Sequence, residues 1–193
     1  MKKLTLLLVI LPFITFAQIS ENFNDGEFFS NPSWAGDTSK FKINNNYQLQ
    51  LDGNDSDTSI LFLQTNISGD MEWNIWVKLS FSPSDNNCLK IYLMADNENL
   101  KAPLNGYFIK IGESGSDDSI DLFRQDSLTS TKIIDGLPGT VSLTSNTFNL
   151  KVIRNSQSNW EILSDITTPG IYSSEGICND STYYEGSVFG ILC

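Results

Sequence analysis

Histidine is absent from the 193 residues. That absence removes Ser-His-Asp and Cys-His catalytic arrangements and every histidine-bound zinc site. Basic residues are scarce, with 12 Lys and Arg against 23 Asp and Glu and a formal charge of −11. A phosphate backbone is bound by basic patches, so no nucleic-acid partner is expected. There are only three cysteines, Cys88, Cys178 and Cys193, and none has metal-ligand spacing. An odd count leaves one over if a bridge forms. Two readings stand: a Cys178–Cys193 bridge between neighbouring late segments, or three unpaired thiols. There is no glycine-rich phosphate loop, and no long segment of 3.6-residue period follows residue 17, so helices are expected to be minor.

What is present starts with Lys2 and Lys3, an apolar run from Leu4 to Phe16, and Ala17 before Gln18. The run is shorter than the ~20 residues a bilayer span needs, and its flanks are those of a secretory signal peptide over 1–17. Thr15 fits the small-residue rule at the cut imperfectly, and no lipobox cysteine is near. The expectation is a secreted or cell-surface protein, exported through a Sec-type signal, with no transmembrane segment after cleavage. Removing the leader also removes two lysines and makes the chain more acidic. Residues 18–193 suffice for one domain with a real core and are too few for two comfortable ones.

The densest pattern runs from Met71 to Gln125. Trp73, Ile75, Val77, Leu79 and Phe81 alternate with Glu72, Asn74, Trp76, Lys78 and Ser80, the period-two signature of a half-buried strand. Leu89/Ile91/Leu93, Tyr107/Ile109/Ile111 and Ile120/Leu122 continue the apolar row. Lys90/Tyr92, Phe108/Lys110 and Asp121/Phe123/Gln125 continue the polar one, so the polar face carries aromatics. Upstream, Ile19 to Phe29 reads as an extended entry strand broken by a turn at Asp25-Gly26, and Trp34 as a ring plugging the end of the core. Short strands are expected at Lys40 to Ile43, Tyr47 to Leu51 and Ser59 to Thr65. Downstream they are expected at Thr131 to Ile134, Phe148 to Arg154, Trp160 to Ser164 and Gly186 to Cys193, with strand character at Thr140 to Leu143. Asn-, Asp- and Gly-rich separators recur between them, and Thr167 to Thr182 reads as a turn-rich connection. Many short antiparallel strands with one apolar face must pack as two layers.

Those segments carry a resemblance. Phe23 with Asp25-Gly26, Pro32 with Trp34 and Gly36-Asp37, Leu49-Gln50-Leu51, Glu72-Trp73 with Trp76-Val77-Lys78, Leu104-Asn105-Gly106-Tyr107, Leu122-Phe123-Arg124-Gln125, Ile134-Asp135-Gly136 and Phe189-Gly190 stand in this order. Together they resemble the concanavalin A-like, laminin-G-like jelly-roll domain found at the N-terminus of large secreted proteins of gliding-type Gram-negative bacteria. Such proteins often carry lamin-tail domains further on. The resemblance implies an all-β, two-sheet antiparallel β-sandwich. It also implies a further strand beyond Cys193 that this chain lacks, and a longer parent chain as partner.

The chemistry points to binding. Enzymes of the jelly-roll class that cleave polysaccharides place spaced carboxylates on one strand face, whereas Met71 to Phe81 offers only Glu72 there. The reading is therefore non-catalytic: an extracellular recognition or adhesion module for carbohydrate or a surface polymer. Aromatic rings meet sugar CH faces, and amides and charges meet hydroxyls. The residues that would do so are Glu72, Asn74, Trp76, Lys78, Lys90, Tyr92, Lys110, Phe123 and Gln125. A structural spacer in a multidomain surface protein is the alternative, and a glycoside hydrolase-like enzyme a remote one. No cofactor is needed. The turn holding Glu113, Asp117 and Asp118, with Asp121 beyond, gathers oxygen ligands of the kind Ca²⁺ takes, although the ligand order of an EF-hand is missing and a solvated turn is favoured.

Overall fold

The computed structural model describes residues 18–53, 57–115 and 117–193. The signal peptide read from residues 1–17 lies outside the described residues. Among those residues the strands are β1 Ala35–Gly36, β2 Phe41–Ile43, β3 Leu49–Leu51, β4 Ile60–Ser68, β5 Met71–Leu79, β6 Leu89–Ala95, β7 Leu104–Ile111, β8 Ile120–Ser127, β9 Thr129–Ile134, β10 Asn146–Arg154, β11 Asn159–Ser164, β12 Ser173–Asn179 and β13 Glu185–Leu192, with a single 3-10 turn at Thr38–Lys40. They form a seven-stranded sheet in the order β1-β4-β13-β6-β7-β8-β9, a four-stranded sheet β12-β11-β10-β5, and a β2-β3 ribbon. Every pairing is antiparallel. The fold is a β-sandwich of the jelly-roll kind. Among the described residues no helix is long and apolar enough to cross a membrane.

Alternation explains both layers. Trp73, Val77 and Leu79 of β5, Phe148, Leu150 and Val152 of β10, and Trp160 and Ile162 of β11 point inward. They meet Ile91, Leu93, Tyr107, Ile109, Ile111 and Leu122 from the facing sheet. Each such side chain, fully buried, contributes on the order of 1.5–3 kcal/mol. Trp73 and Trp160 lie stacked at 5.9 Å and 8°, and the Tyr107 ring sits 4.6 Å from Trp160. Trp34 is buried at the end of the core with Phe28, Phe41, Leu61 and Leu63, as its plug reading required.

One expectation needs correction. The four segments from Met71 to Gln125 do not share one sheet. β5 belongs to the four-stranded sheet and β6, β7 and β8 to the seven-stranded one, the Ser80–Cys88 connection crossing between layers. Strands that face each other across a core show the same alternation as strands that lie side by side. Two smaller differences have local causes. Thr140 to Leu143 is a loop, and the turn-rich segment contains strand β12. In β12 the inward position is Glu175, buried and held by the Ser164 hydroxyl, so no apolar alternation marks the strand. No strand forms over Ile19 to Phe29.

The crossing from β12 to β13 is tied down by charge. Asp180 accepts hydrogen bonds from Tyr107 Oη at 2.5 Å and Arg124 Nη1 at 2.5 Å, and its backbone carbonyl accepts Trp160 Nε1 at 3.1 Å. The buried Arg154 guanidinium donates to the carbonyls of Tyr183 and Tyr184, both at 2.9 Å, between the Trp160 and Tyr184 rings. All three cysteines are unpaired, Cys178 in one sheet and Cys193 just past the last strand of the other. Burial pushes the thiol of Cys178 up to about 11 and that of Cys193 up to about 12.

Candidate functional site

The nine residues singled out as binding candidates divide between the two outer surfaces of the sandwich. Glu72, Asn74, Trp76 and Lys78 alternate outward from β5 on the four-stranded sheet. Lys90, Tyr92, Lys110, Phe123 and Gln125 lie on the seven-stranded sheet. They do not form one site.

On the seven-stranded side the aromatics are largely consumed by packing. Tyr92, Phe108 and Phe123 stand opposite one another on β6, β7 and β8. The Phe108 and Phe123 rings stack at 5.2 Å and 4°, and Tyr92 and Phe108 are 5.0 Å apart. Leu100 of the β6–β7 connection and Leu104 at the start of β7 join Tyr92 and Phe108 in a small second core with Ile60, Phe62 and Val188. A β-carbon at Gly190 would meet Leu100 Cδ1 at 2.7 Å, so glycine there lets this cover approach the sheet. Tyr92 is left 2 % exposed, its hydroxyl donating to Gln125 Oε1 at 2.9 Å, and burial pushes its pKa up to about 12. Its ring offers no flat surface to a ligand. Lys90 reaches over the Phe108 ring and Lys110 pairs with Asp85.

The four-stranded side is open. Trp76 sits at the middle of β5 with 45 % of its surface exposed, directly opposite Asn149 of β10. Asn74 stands opposite Lys151, and Glu72 opposite Ile153. Glu72 Oε1 accepts from Asn74 Nδ2 at 2.8 Å and lies 3.4 Å from Lys151 Nζ. The Asn74 hydrogen bond, then the Lys151 charge, hold the Glu72 carboxyl below its ordinary value. Lys151 Nζ in turn lies 5.2 Å from the ring centre of Tyr172, itself 38 % exposed. Asn149 is fixed by Asp165, which accepts its N–H at 2.6 Å and its Nδ2 at 2.8 Å. Beyond Glu72 the surface leads into a shallow groove of about 420 Å³ lined by Ile153, Asn159, Glu161, Ile177 and Asn179 among others. One exposed ring, two amides and a carboxylate-ammonium pair thus stand on the paired strands β5 and β10, with a second exposed ring, Tyr172, on the connection before β12. Such a surface offers hydrophobic contact together with directed hydrogen bonds.

Sequence reasoning missed Asn149, Lys151 and Tyr172. The first two alternate with Phe148, Leu150 and Val152, so their outward direction was legible although the register with β5 was not. Tyr172 stands in a turn-rich connection with no pattern to mark it.

The acidic turn is reorganised relative to expectation. Glu113 and Asp121 come together, but their third carboxylate is Asp135, whereas Asp117 is exposed and outside the group. Asp118 is buried and accepts the Glu113 N–H at 2.8 Å, closing the loop. Lys132 Nζ stands among the three carboxylates.

No family model matches the chain. No curated protein matches it either. Solved structures do. Carbohydrate-binding module CBM66 from Bacillus subtilis superposes with a TM-score of 0.58 at 16 % identity, over 83 % of this chain and 86 % of that one. The exoplasmic/lumenal domain of VIP36, in a Ca²⁺- and mannose-bound form, gives 0.59 at 11 %, over 83 % and 74 %. The carbohydrate recognition domain of Emp46p, in a potassium-bound form, gives 0.56 at 10 %, over 90 % and 87 %. At these identities the likeness is one of fold, that of a two-layer antiparallel β-sandwich of the jelly-roll kind.

Proposed function

We propose that the chain is a non-catalytic carbohydrate-recognition module, and that it docks glycan on the outer face of the four-stranded sheet. The observation that carries the reading is the Trp76 ring, exposed at mid-strand where the same strand buries Trp73. Leaving a tryptophan half in water forfeits hydrophobic stabilisation that an inward ring would gain, and a flat apolar ring beside amides suits the CH face and hydroxyls of a sugar. Asn74, Asn149, Glu72 and Lys151 supply hydrogen bonds, Lys78 a second ammonium, and Tyr172 a second ring. The lectin-like fold of the structural neighbours supports the same reading. A leader peptide and an acidic surface fit an exported protein that meets extracellular or cell-surface polymers, and no cofactor is required.

A structural role is the second reading, and the covered Tyr92 surface favours it for the seven-stranded face, where a loop rather than a ligand occupies the aromatic row. Retention on a panel of soluble and insoluble polysaccharides separates the two, using the wild type and W76A side by side. The glycan reading expects retention on at least one polymer and its loss in W76A. Equal retention of both proteins, or none by either, rejects it.

A further inference from the structure

The glycan reading makes no use of Glu113, Asp121 and Asp135, whose oxygens converge to within 4.8 Å of one another. Three hard oxygen donors at that spacing suit a divalent cation such as Ca²⁺. The centre, however, holds the chain's own cation. Lys132 Nζ lies 2.6 Å from Asp135 Oδ1 and 3.0 Å from Asp121 Oδ2, and it also contacts Glu113 Oε1. A metal ion does not fit beside it, because the ammonium and the ion would claim the same oxygens.

Asp121 shows why a cation has to be there. Its side chain is fully buried. Oδ1 accepts from Ser119 Oγ at 2.8 Å and from Gly136 N at 2.9 Å. Among the described residues Oδ2 accepts no well-directed hydrogen bond, and the Lys132 ammonium is the cation beside it. Burial raises the Asp121 carboxyl above its ordinary value. Glu113 is held below its own, first by its hydrogen bond from Lys132. A buried ionised carboxylate without neighbouring positive charge is strongly destabilising. The lysine is delivered by β9, where it stands opposite Phe123 with its ammonium 6.0 Å from that ring.

We propose that Lys132 is the resident cation of this carboxylate set: the wild-type protein takes no metal here, and removing the ammonium while keeping the carboxylates turns the set into a Ca²⁺ site. A tethered ammonium competes at high effective concentration, which free Ca²⁺ must overcome. The set draws on the β7–β8 loop, β8, β9 and the segment after β9, so its cation ties the loop and that segment to the β8–β9 pair.

Thermal unfolding in ~1 mM EDTA and in ~5 mM CaCl₂ tests this, with Ca²⁺ itself as the probe. The wild type is expected to unfold at the same temperature in both. K132Q is expected to gain about 5 °C from Ca²⁺, the rise for a site filled well above its Kd in a domain of this size. The double variant K132Q/D121N is expected to lose that response. If K132Q does not refold in EDTA, the yield of folded protein with and without Ca²⁺ replaces the melting temperature. No Ca²⁺ effect on K132Q by either measure overturns the proposal, as does a Ca²⁺-dependent rise in the wild type that D121N abolishes.

Discussion

Trp73 and Trp76 stand three residues apart on β5, so they leave on opposite faces, and replacing each by alanine compares core with platform using one residue type. Trp73 is 8 % exposed and stacks on Trp160 at 5.9 Å. Truncating a core tryptophan costs about 3–5 kcal/mol. In a domain of roughly 150–250 residues each kcal/mol moves the melting temperature by about 2–4 °C, which puts W73A about 6–20 °C below the wild type. Trp76 is 45 % exposed. Roughly half of an aromatic side chain's surface, ~100 Å², at ~25 cal/mol per Å² sets a ceiling of about 2.5 kcal/mol. An unfolded chain already buries part of that area, which lowers the figure further. W76A is therefore expected to lose less than W73A, in melting temperature and in urea midpoint with unchanged slope. Equal costs, or the reverse order, would falsify the assignment of Trp76 to an open face.

Other consequences follow from single groups. Burial opposes ionisation of Asp180, but the Tyr107 hydroxyl, the Thr182 N–H and the Arg124 guanidinium outweigh it and hold the carboxyl below its ordinary value. A depressed folded value means this stability is present above the unfolded carboxylate range of about 4 and lost as pH falls through the folded value. The urea midpoint should fall steeply below pH ~4, and less steeply in D180N; identical pH profiles would contradict the role given to Asp180. At Gly136 a β-carbon would meet the Ile120 carbonyl oxygen at 2.4 Å. G136A is expected to cost about 1–3 kcal/mol by crowding that contact, and an unchanged melting temperature would show that the two segments are not so close.

Much of the sandwich was legible because its information is local. Trp73, Val77, Ile109 and Leu150 announce their faces by alternation alone, and Trp34 its burial by standing isolated in a polar loop. Which sheet a strand joins is not local. β5 and β6 carry the same alternation and end up facing each other across the core, so the polar rows of Trp76 and of Tyr92 seemed continuous and are in fact on opposite surfaces. The site was half legible for the same reason. Trp76 and its β5 neighbours were named from one strand, whereas Asn149 and Lys151 required the β5–β10 register and Tyr172 a loop conformation. The carboxylate set shows the same limit: Glu113 and Asp121 stood close in sequence, but Asp135 and Lys132 arrive through the turn between β8 and β9.

The central claim is that sugar sits on Trp76, and acrylamide quenching of tryptophan fluorescence reads that contact directly. Of the four tryptophans, Trp34, Trp73 and Trp160 are 6 %, 8 % and 1 % exposed, and Trp76 is 45 % exposed. Quenching of the free protein should therefore come almost wholly from Trp76 and be absent in W76A. A polysaccharide that retains the wild type should shield that component. Binding that leaves the quenching of Trp76 unchanged would contradict the account.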